Sequence, residues 1–253
     1  MKISVVTAVF NRADTVADAL ASVQAQTWPL VEHIVIDGGS TDGTLPILQA
    51  RRRQLAVLVS EPDGGIYDAL NKGIRCATGE VVGFLHADDL FETPDSLAQV
   101  AAAFDDPAVD AVYGDLVYVR KDDPARVVRY WRAGPYVAGC LERGWMPPHP
   151  TFYVRRAVYE RLGLFDARFR ISADYESVLR ILGRGGIKTA YLPQVLVRMR
   201  LGGISNRSLR SMLLKSREDY AAMRANGVGG VAALVRKNFI KLPQFLVRAP
   251  GPG

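Results

Sequence analysis

Between Gly79 and Asp89 the chain reads GEVVGFLHADD, and the five residues Val81 to Leu85 are apolar or glycine with no polar alternation. A half-exposed strand alternates, whereas an unbroken run of this length belongs to a strand covered on both faces, as in a parallel sheet wrapped by helices. The run stops abruptly in His86, Ala87, Asp88 and Asp89. Open α/β sheets bind ligands in the crevice beyond the carboxyl ends of their strands, so a central strand delivers this acid pair to a site. Adjacent carboxylates repel and are costly to desolvate; outside full solvent they take a cation, and hard oxygen ligands suit Mg²⁺ or Mn²⁺. The plainer alternative is a solvated Asp-Asp turn leading into the next helix.

The surrounding chain alternates strand and helix. Lys2 to Ala8 predicts a strand, and Val16, Ala19, Leu20 and Val23 recur at helical spacing, with Asp14 or Thr15 at the helix start. Val31 to Ile36 is a second strand ending in Asp37, followed by a Gly38–Gly43 loop and a helix through Ile47 and Leu48. Leu55 to Ser60 is a third strand, running into Glu61, Pro62, Asp63, Gly64 and Gly65, with Tyr67 to Cys76 helical after it. Val81 to Leu85 is the fourth. Thr93 then caps a helix with Pro94 at its first position and Leu97, Val100, Ala101 and Phe104 on one face, and Ala111 to Val119 is a fifth strand. Repeated units of this length predict a doubly wound, Rossmann-like, mostly parallel α/β sheet flanked by helices. Three successive strands lead into acids, Asp37, Asp63 and the Asp88–Asp89 pair; in a parallel sheet these share one rim, and their convergence is the argument for a ligand site.

The 253 residues, 49% hydrophobic, suffice for one large core, and the chain reads as soluble and globular. No stretch approaches the roughly 18 uninterrupted apolar residues of a membrane span. The opening ISVVTAVF lacks a basic lead and is read as a strand, not a signal peptide. Cys76 and Cys140 form no metal-ligand spacing and no disulfide framework, so a reducing cytoplasm is the simplest setting. Of the net charge of +6, residues from Arg198 onward carry 11 − 2 = +9 and residues 1–197 carry 21 − 24 = −3. A cationic tail interleaved with Phe239, Ile240, Leu242, Phe245 and Leu246 fits two readings: a helix lying on an anionic inner membrane face, or a packing helix with a solvated side. No nucleic-acid motif accompanies the charge, so nucleic acid is not expected as a partner.

The nucleotide site is neither of two common kinds. GxGxxG is absent after the first strand, as is a glycine-rich loop ending in Lys-Ser or Lys-Thr; Thr7, Ala8, Val9, Phe10, Asn11 and Arg12 stand there instead. An acid-rich site grips a diphosphate only through a metal bridge.

TAVFNRADT, EHIVIDGGSTDGT, EPDGGIYDALNKGI and GEVVGFLHADD, in this order and spacing, resemble the nucleotide-binding motifs of glycosyltransferase family 2, inverting enzymes of the GT-A fold. The likeness is strong over residues 1–120. It continues more weakly through PHPTFYVRR, FRISADYESVLRIL and MRLGGIS to about residue 206, a layout similar to exopolysaccharide and envelope glycan enzymes. The resemblance implies that Thr7, Asn11 and Arg12 border a nucleotide, Asp37 bonds its base, and Asp63 lies beside base or ribose. It also puts Asn71 and Lys72 in the donor pocket, where a helix cap and a solvated lysine serve as the ordinary alternatives. The DxD motif maps onto His86, Ala87 and Asp88, with Asp89 an additional acid. His86 departs from the usual acid and is left as metal ligand, ribose partner or loop support. Both aspartates can face one Mg²⁺ or Mn²⁺ only if the strand has already turned, since successive strand side chains point oppositely.

In the second half, Ser172 is a plausible N-cap that sets Asp174 in a first helical turn, where the macrodipole favours a carboxylate. The family's ED motif, with Ala173 replacing its first acid, implies that Asp174 is the general base, with Glu176 in reserve. His149 lines the acceptor or donor mouth or packs a loop. Trp131 and Trp145 stack on sugars or fill the core. Gly202 to Ser205 form a turn or a loop closing over the diphosphate, with Arg198 or Arg200 offering charge. The expected organisation is a GT-A domain over 1–206 (nucleotide-sugar half 1–120, acceptor half 121–206) and a basic helical tail over 207–253. The expected activity is metal-assisted, inverting transfer of a sugar from a nucleotide-diphosphate donor to a hydroxyl of a lipid-linked or cell-envelope glycan. A sugar nucleotidyltransferase and a noncatalytic sugar-nucleotide-binding protein are the rivals.

Overall fold

The computed structural model describes residues 1–202 and 209–239. The four apolar runs of the first half become a parallel block of β1 (Ile3–Val9), β2 (Val31–Asp37), β3 (Val57–Ser60) and β4 (Val81–Phe84), in the spatial order β3-β2-β1-β4. Val9 pairs with Asp37, Asp37 with Ser60 and Val6 with Phe84, so the strands end at one rim. β1 and β4 are buried along their whole length, the condition that an unbroken apolar run requires. Val6, Ile34, Ile36, Val82 and Phe84 belong to the core layer on one face, and Val5, Val81 and Leu85 to the layer on the other.

Helices cover both faces: α1 (Val16–Gln24), α2 (Thr44–Ala50), α3 (Ile66–Cys76), α4 (Ser96–Ala103), α5 (Arg156–Leu162) and α6 (Ala173–Arg184). The buried stripe of α1 is the four residues whose spacing predicts it, Val16, Ala19, Leu20 and Val23. α4 starts later than Pro94, because the Thr93 amide donates to Ser96 Oγ at 3.2 Å and a turn precedes the helix. α3 lies so close to β1 that a Cβ on Gly73 would stand 2.2 Å from Val6 Cγ1.

The fifth expected strand is β6 (Val109–Val119), two residues longer at its start than Ala111 to Val119, whereas β5 (Asp89–Phe91), β7 (Val127–Trp131), β8 (Tyr153–Arg155) and β9 (Lys188–Arg200) carry little sequence signal. They extend the sheet as β4-β8-β6-β9-β5, with β7 on the side of β6. β8 is antiparallel to β4 and β6, β9 is parallel to β6, and β5 is antiparallel to β9, so the parallel block passes into a mixed one. The long β9 returns the chain to the rim, where Met199 pairs with Asp89.

The described residues beyond 206 pack on the domain. α7 (Leu209–Asn226) packs on α6 and adds Ala222 and Met223 to the main core, and α8 (Val231–Phe239) adds Ala233. The only acids after Arg198, Glu218 and Asp219, both point inward; Asp219 holds Lys215 and Lys237, each at 2.8 Å. No helix among the described residues is long and apolar enough to cross a membrane. Ile240, Leu242, Phe245 and Leu246 lie outside the described residues, as do Gly203, Ile204 and Ser205.

Candidate active site

The loop after β1 is stitched to the loop after β2. Asn11, the one non-glycine residue in the left-handed region among the described residues (φ 51°), accepts the Thr41 amide at 2.8 Å, and its own amide donates to Ser40 Oγ at 2.8 Å. A short polar side chain tolerates this conformation because it can bond locally. The Arg12 amide donates to Thr44 Oγ1 at 2.8 Å, and Asp42 accepts first from the Thr44 hydroxyl at 2.5 Å and then from the Ala13 and Thr44 amides, a set that lowers the pKa of its carboxyl. The stitched loops wall a cleft of about 350 Å³ whose lining includes Asn11, Arg12, Asp14, Asp42, Asp88, Lys121, Arg200 and Gly202.

The two aspartates at the end of β4 separate. Asp88 lines the cleft, with one oxygen 3.7 Å from Arg12 Nε. Asp89 begins β5 and is fully buried, with no hydrogen bond formed at either carboxylate oxygen. Burial, and then the Asp88 charge, hold its pKa well above the ordinary carboxylate range against the opposing pull of Arg200. Strand alternation is the reason: with pairing resumed at Asp89, consecutive side chains take opposite sides. His86 is half-buried, its Nδ1 enclosed without a partner and its ring 5.9 Å from that of His149. Burial depresses its pKa against the pull of Asp88 and Asp174.

Among the described residues no three His, Cys, Asp or Glu side chains form a ligand-like cluster, so His86, Asp88 and Asp89 are not a preformed cage. That does not conflict with a small hard cation. Mg²⁺ is commonly held by one or two carboxylates and completed by substrate phosphates. Asp88, cleft-facing and tied only loosely to Arg12, fits that role, with the orphaned carboxylate of Asp89 behind it.

Asp174 sits in the first turn of α6, where its Oδ1 is 3.1 Å from the Tyr67 hydroxyl, which also donates to Ile171 O at 2.7 Å. Burial and the Asp174 charge hold the Tyr67 phenol well above its usual pKa, so it remains a donor. Asp174 lies within electrostatic reach of His86 and His149. His149 is buried among Phe84, His86 and Phe165, and burial lowers its pKa to about 4. Glu176 is committed elsewhere, to Arg180 at 3.0 Å and Asn226 at 3.3 Å.

Several expected site residues make bonds within the framework. Thr7 is buried, with Oγ1 3.0 Å from His33 Nε2. Asp37 is buried and accepts from the Ser40 amide at 3.1 Å, from the Ser40 hydroxyl, and from Ser60 Oγ at 2.7 Å. Asn71 does not face the cleft: it exchanges two hydrogen bonds with the Phe165 backbone, at 2.8 and 2.9 Å. Lys72 pairs with Glu61 at 2.8 Å and Asp68 at 3.6 Å. Asp63 accepts the Gly65 amide at 2.8 Å and lies so near Gly38 that a Cβ there would come within 2.5 Å of it. Trp145 is in the core, donating to Ala133 O at 2.7 Å. Arg198 bonds Glu92 at 2.6 Å, whereas Arg200, bonded to Asp18 at 2.6 Å, lines the cleft. Lys121, Asp42 and Tyr67 were not legible as site residues, since only the folded loops around the cleft and the reach of Tyr67 from α3 to the start of α6 bring them in.

The family model described as Glycosyl transferase family 2 matches residues 4–170. An uncharacterized glycosyltransferase of Mycobacterium tuberculosis is 36% identical over 187 residues, covering 70% of this chain and 68% of that protein. A PGL/p-HBAD biosynthesis glycosyltransferase of Mycobacterium bovis is 30% identical over 217 residues, covering 84% and 82%. Among solved structures, mannosyltransferase PcManGT from Pyrobaculum calidifontis in complex with GDP-Man and Mn²⁺ superposes with a TM-score of 0.67 at 22% identity, covering 96% of this chain and 70% of that one. Residues 1–349 of S. aureus TarS in complex with UDP-GlcNAc give 0.65 at 20% identity, covering 89% and 65%, and this chain spans 39% of a longer TarS chain. At these identities the structures show the fold, GT-A, and not the ligand.

Proposed function

The chain belongs to glycosyl transferase family 2, and from that premise we propose that it moves a sugar, with inversion and with help from a divalent ion, from a nucleotide-diphosphate donor to an acceptor hydroxyl. The observation that carries the reading is that Asp174, bonded by the Tyr67 hydroxyl at 3.1 Å, lies within electrostatic reach of His86, the same imidazole that feels Asp88 at the end of β4. Asp174 takes the proton of the acceptor hydroxyl as its oxygen attacks the anomeric carbon, and the bond from that carbon to the diphosphate breaks with its electrons on the diphosphate. Arg12, Lys121 and Arg200, which line the cleft paired with Asp88, Asp14 and Asp18, supply the cations that receive this charge. Burial lowers the pKa of His86 against the pull of Asp88 and Asp174, so its imidazole resists taking a proton although both carboxylates lie within electrostatic reach. A divalent ion at Asp88, when bound, supplies the positive charge that stabilises the departing diphosphate. The Mn²⁺ in the mannosyltransferase complex supports that part of the reading.

The acceptor is a glycan or glycolipid hydroxyl at the cell envelope, a reading supported by the relative named for PGL/p-HBAD biosynthesis. It is also supported by the outer face of α7, where Leu213, Arg217, Tyr220 and Arg224 recur at i, i+4, i+7 and i+11, all exposed. Because both acids of this helix are turned inward, that face is apolar and cationic only, suited to an anionic bilayer.

Thermal denaturation with UDP-GlcNAc and GDP-mannose, each with and without Mn²⁺, tests donor and metal together: a rise in Tm larger with Mn²⁺ is expected, and no rise with any nucleotide sugar overturns the reading. Asp174→Asn is expected to lower turnover by roughly 10²–10⁴-fold while the Tm rise survives. Turnover at the parent rate would remove the base from Asp174, and a parent with binding but no turnover would favour a sensor. Sedimentation with phosphatidylglycerol vesicles tests the surface; binding equal to that of the Arg217→Glu, Arg224→Glu double variant removes α7 from membrane contact.

A further inference from the structure

Resting on the reading of Asp174 as the base, we propose that Glu218, on α7, is a positioning residue for it. The backbone just before α6 has no sheet partner in its final three residues. Instead, three consecutive amides converge on one carboxylate: Arg170 donates to Glu218 Oε1 at 2.9 Å, and Ile171 and Ser172 donate to Oε2 at 2.8 and 2.9 Å. Successive N–H groups aimed at one point make an anion-binding concavity. Here the anion is a side chain delivered 46 to 48 residues later in the chain.

Ser172 stands at the N-cap but makes no capping bond, and its Oγ is buried without a partner, so Glu218 and not the cap residue fixes where α6 begins. The grip passes directly to the base. Ile171, held by Glu218 through its amide, accepts the Tyr67 hydroxyl through its carbonyl at 2.7 Å, and the same hydroxyl meets Asp174 at 3.1 Å. On the far side of Asp174, the ring of Tyr175 lies 3.0 Å beneath Lys237 Nζ, which Asp219 holds at 2.8 Å. The adjacent acids Glu218 and Asp219 therefore act on both sides of the base, Glu218 on the backbone of residues 170–172 and Asp219 through Lys237 on Tyr175, from outside the stretch matched by the family model, which ends at residue 170. A carboxylate that must meet a reacting hydroxyl within hydrogen-bond reach loses rate steeply when its backbone shifts.

The test compares Glu218→Ala, Glu218→Gln and Asp174→Asn in the full chain. It follows release of nucleoside diphosphate from UDP-GlcNAc or GDP-mannose, whichever stabilises the parent, with Mn²⁺. Glu218→Ala is expected to lower kcat by about 10- to 100-fold with the donor KM little changed, and to speed hydrogen exchange at amides 170–172. Glu218→Gln, whose carbonyl can keep the Ile171 and Ser172 bonds and whose amide cannot accept from Arg170, is expected between Ala and parent. If Glu218→Ala does not fold, the Gln variant alone decides. Parent kcat in folded Glu218 variants while Asp174→Asn is inactive overturns the positioning role and leaves the base in place, as does a raised KM with unchanged kcat. Parent kcat in Asp174→Asn overturns the base, and this role with it.

Discussion

Asp88 and Asp89 show how one residue of register divides two identical side chains. The resumption of pairing at Asp89 turns its carboxylate into the protein and leaves Asp88 alone at the cleft. The two substitutions should therefore behave differently. A ligand at 100 times its Kd stabilises the folded state by about 2.7 kcal/mol, and Asp88→Asn is expected to remove the Mn²⁺-dependent share of that gain, read as the difference in Tm with nucleotide sugar with and without Mn²⁺. Asp89→Asn replaces a buried carboxylate that has no hydrogen-bond partner, so its Tm without ligand is expected to match or exceed the parent value. An equal loss of the Mn²⁺ response in both variants would place both carboxylates at the ion. At the same scale, Thr7, Asp37 and Asn71 carry their polar atoms into the framework, and residue type within a motif does not distinguish a group that meets a ligand from one that holds the loop meeting it.

At the scale of elements, the close approach of α3 to β1 is set by Gly73. A helix gains up to about 1 kcal/mol when glycine becomes alanine. Here the added methyl would stand 2.2 Å from Val6 Cγ1, on a buried central strand with no room to retreat. Overpacking of this kind costs about 1–3 kcal/mol, and with a branched neighbour fixed at χ1 the cost exceeds the propensity gain. Gly73→Ala is thus expected to lower Tm, by roughly 2–4 °C for each net kcal/mol in a chain of this size. Because α3 also carries Tyr67 to Asp174, turnover should fall more than stability alone explains, which kcat measured well below Tm would show. The stripe of α1 and the strands β1, β2 and β4 were legible because burial there repeats at the period of the element. β5, β7 and β8 are only three to five residues long, and β9 is mostly half-exposed, so no period singles them out.

For the whole molecule, two of the three histidines, His33 and His149, are buried and His86 is half-buried, and desolvation lowers the pKa of each, to about 4 for His33 and His149. The unfolded chain binds protons near pH 6.5 that the native state refuses until about pH 4, so this stability is present above pH 6.5 and is lost as pH falls through that window. At 1.36 kcal/mol per pKa unit, His33 and His149 each account for roughly 3 kcal/mol at the acid end. Urea midpoints are expected to fall steadily from pH 7 to pH 5, and His33→Gln, which keeps a partner for Thr7, should flatten that fall by about one proton; an unchanged slope would show that His33 is not the sink. By itself the sequence determined the parallel block, the rim on which acids gather and the family to which the chain belongs, because burial period and motif order are properties of neighbouring residues. Only the tertiary structure decided which acids reach the cleft, that α7 and α8 complete the core, and that Glu218 grips the lead-in to Asp174. Those outcomes depend on hydrogen bonds and packing between residues tens of positions apart, and such pairings leave no local pattern to read.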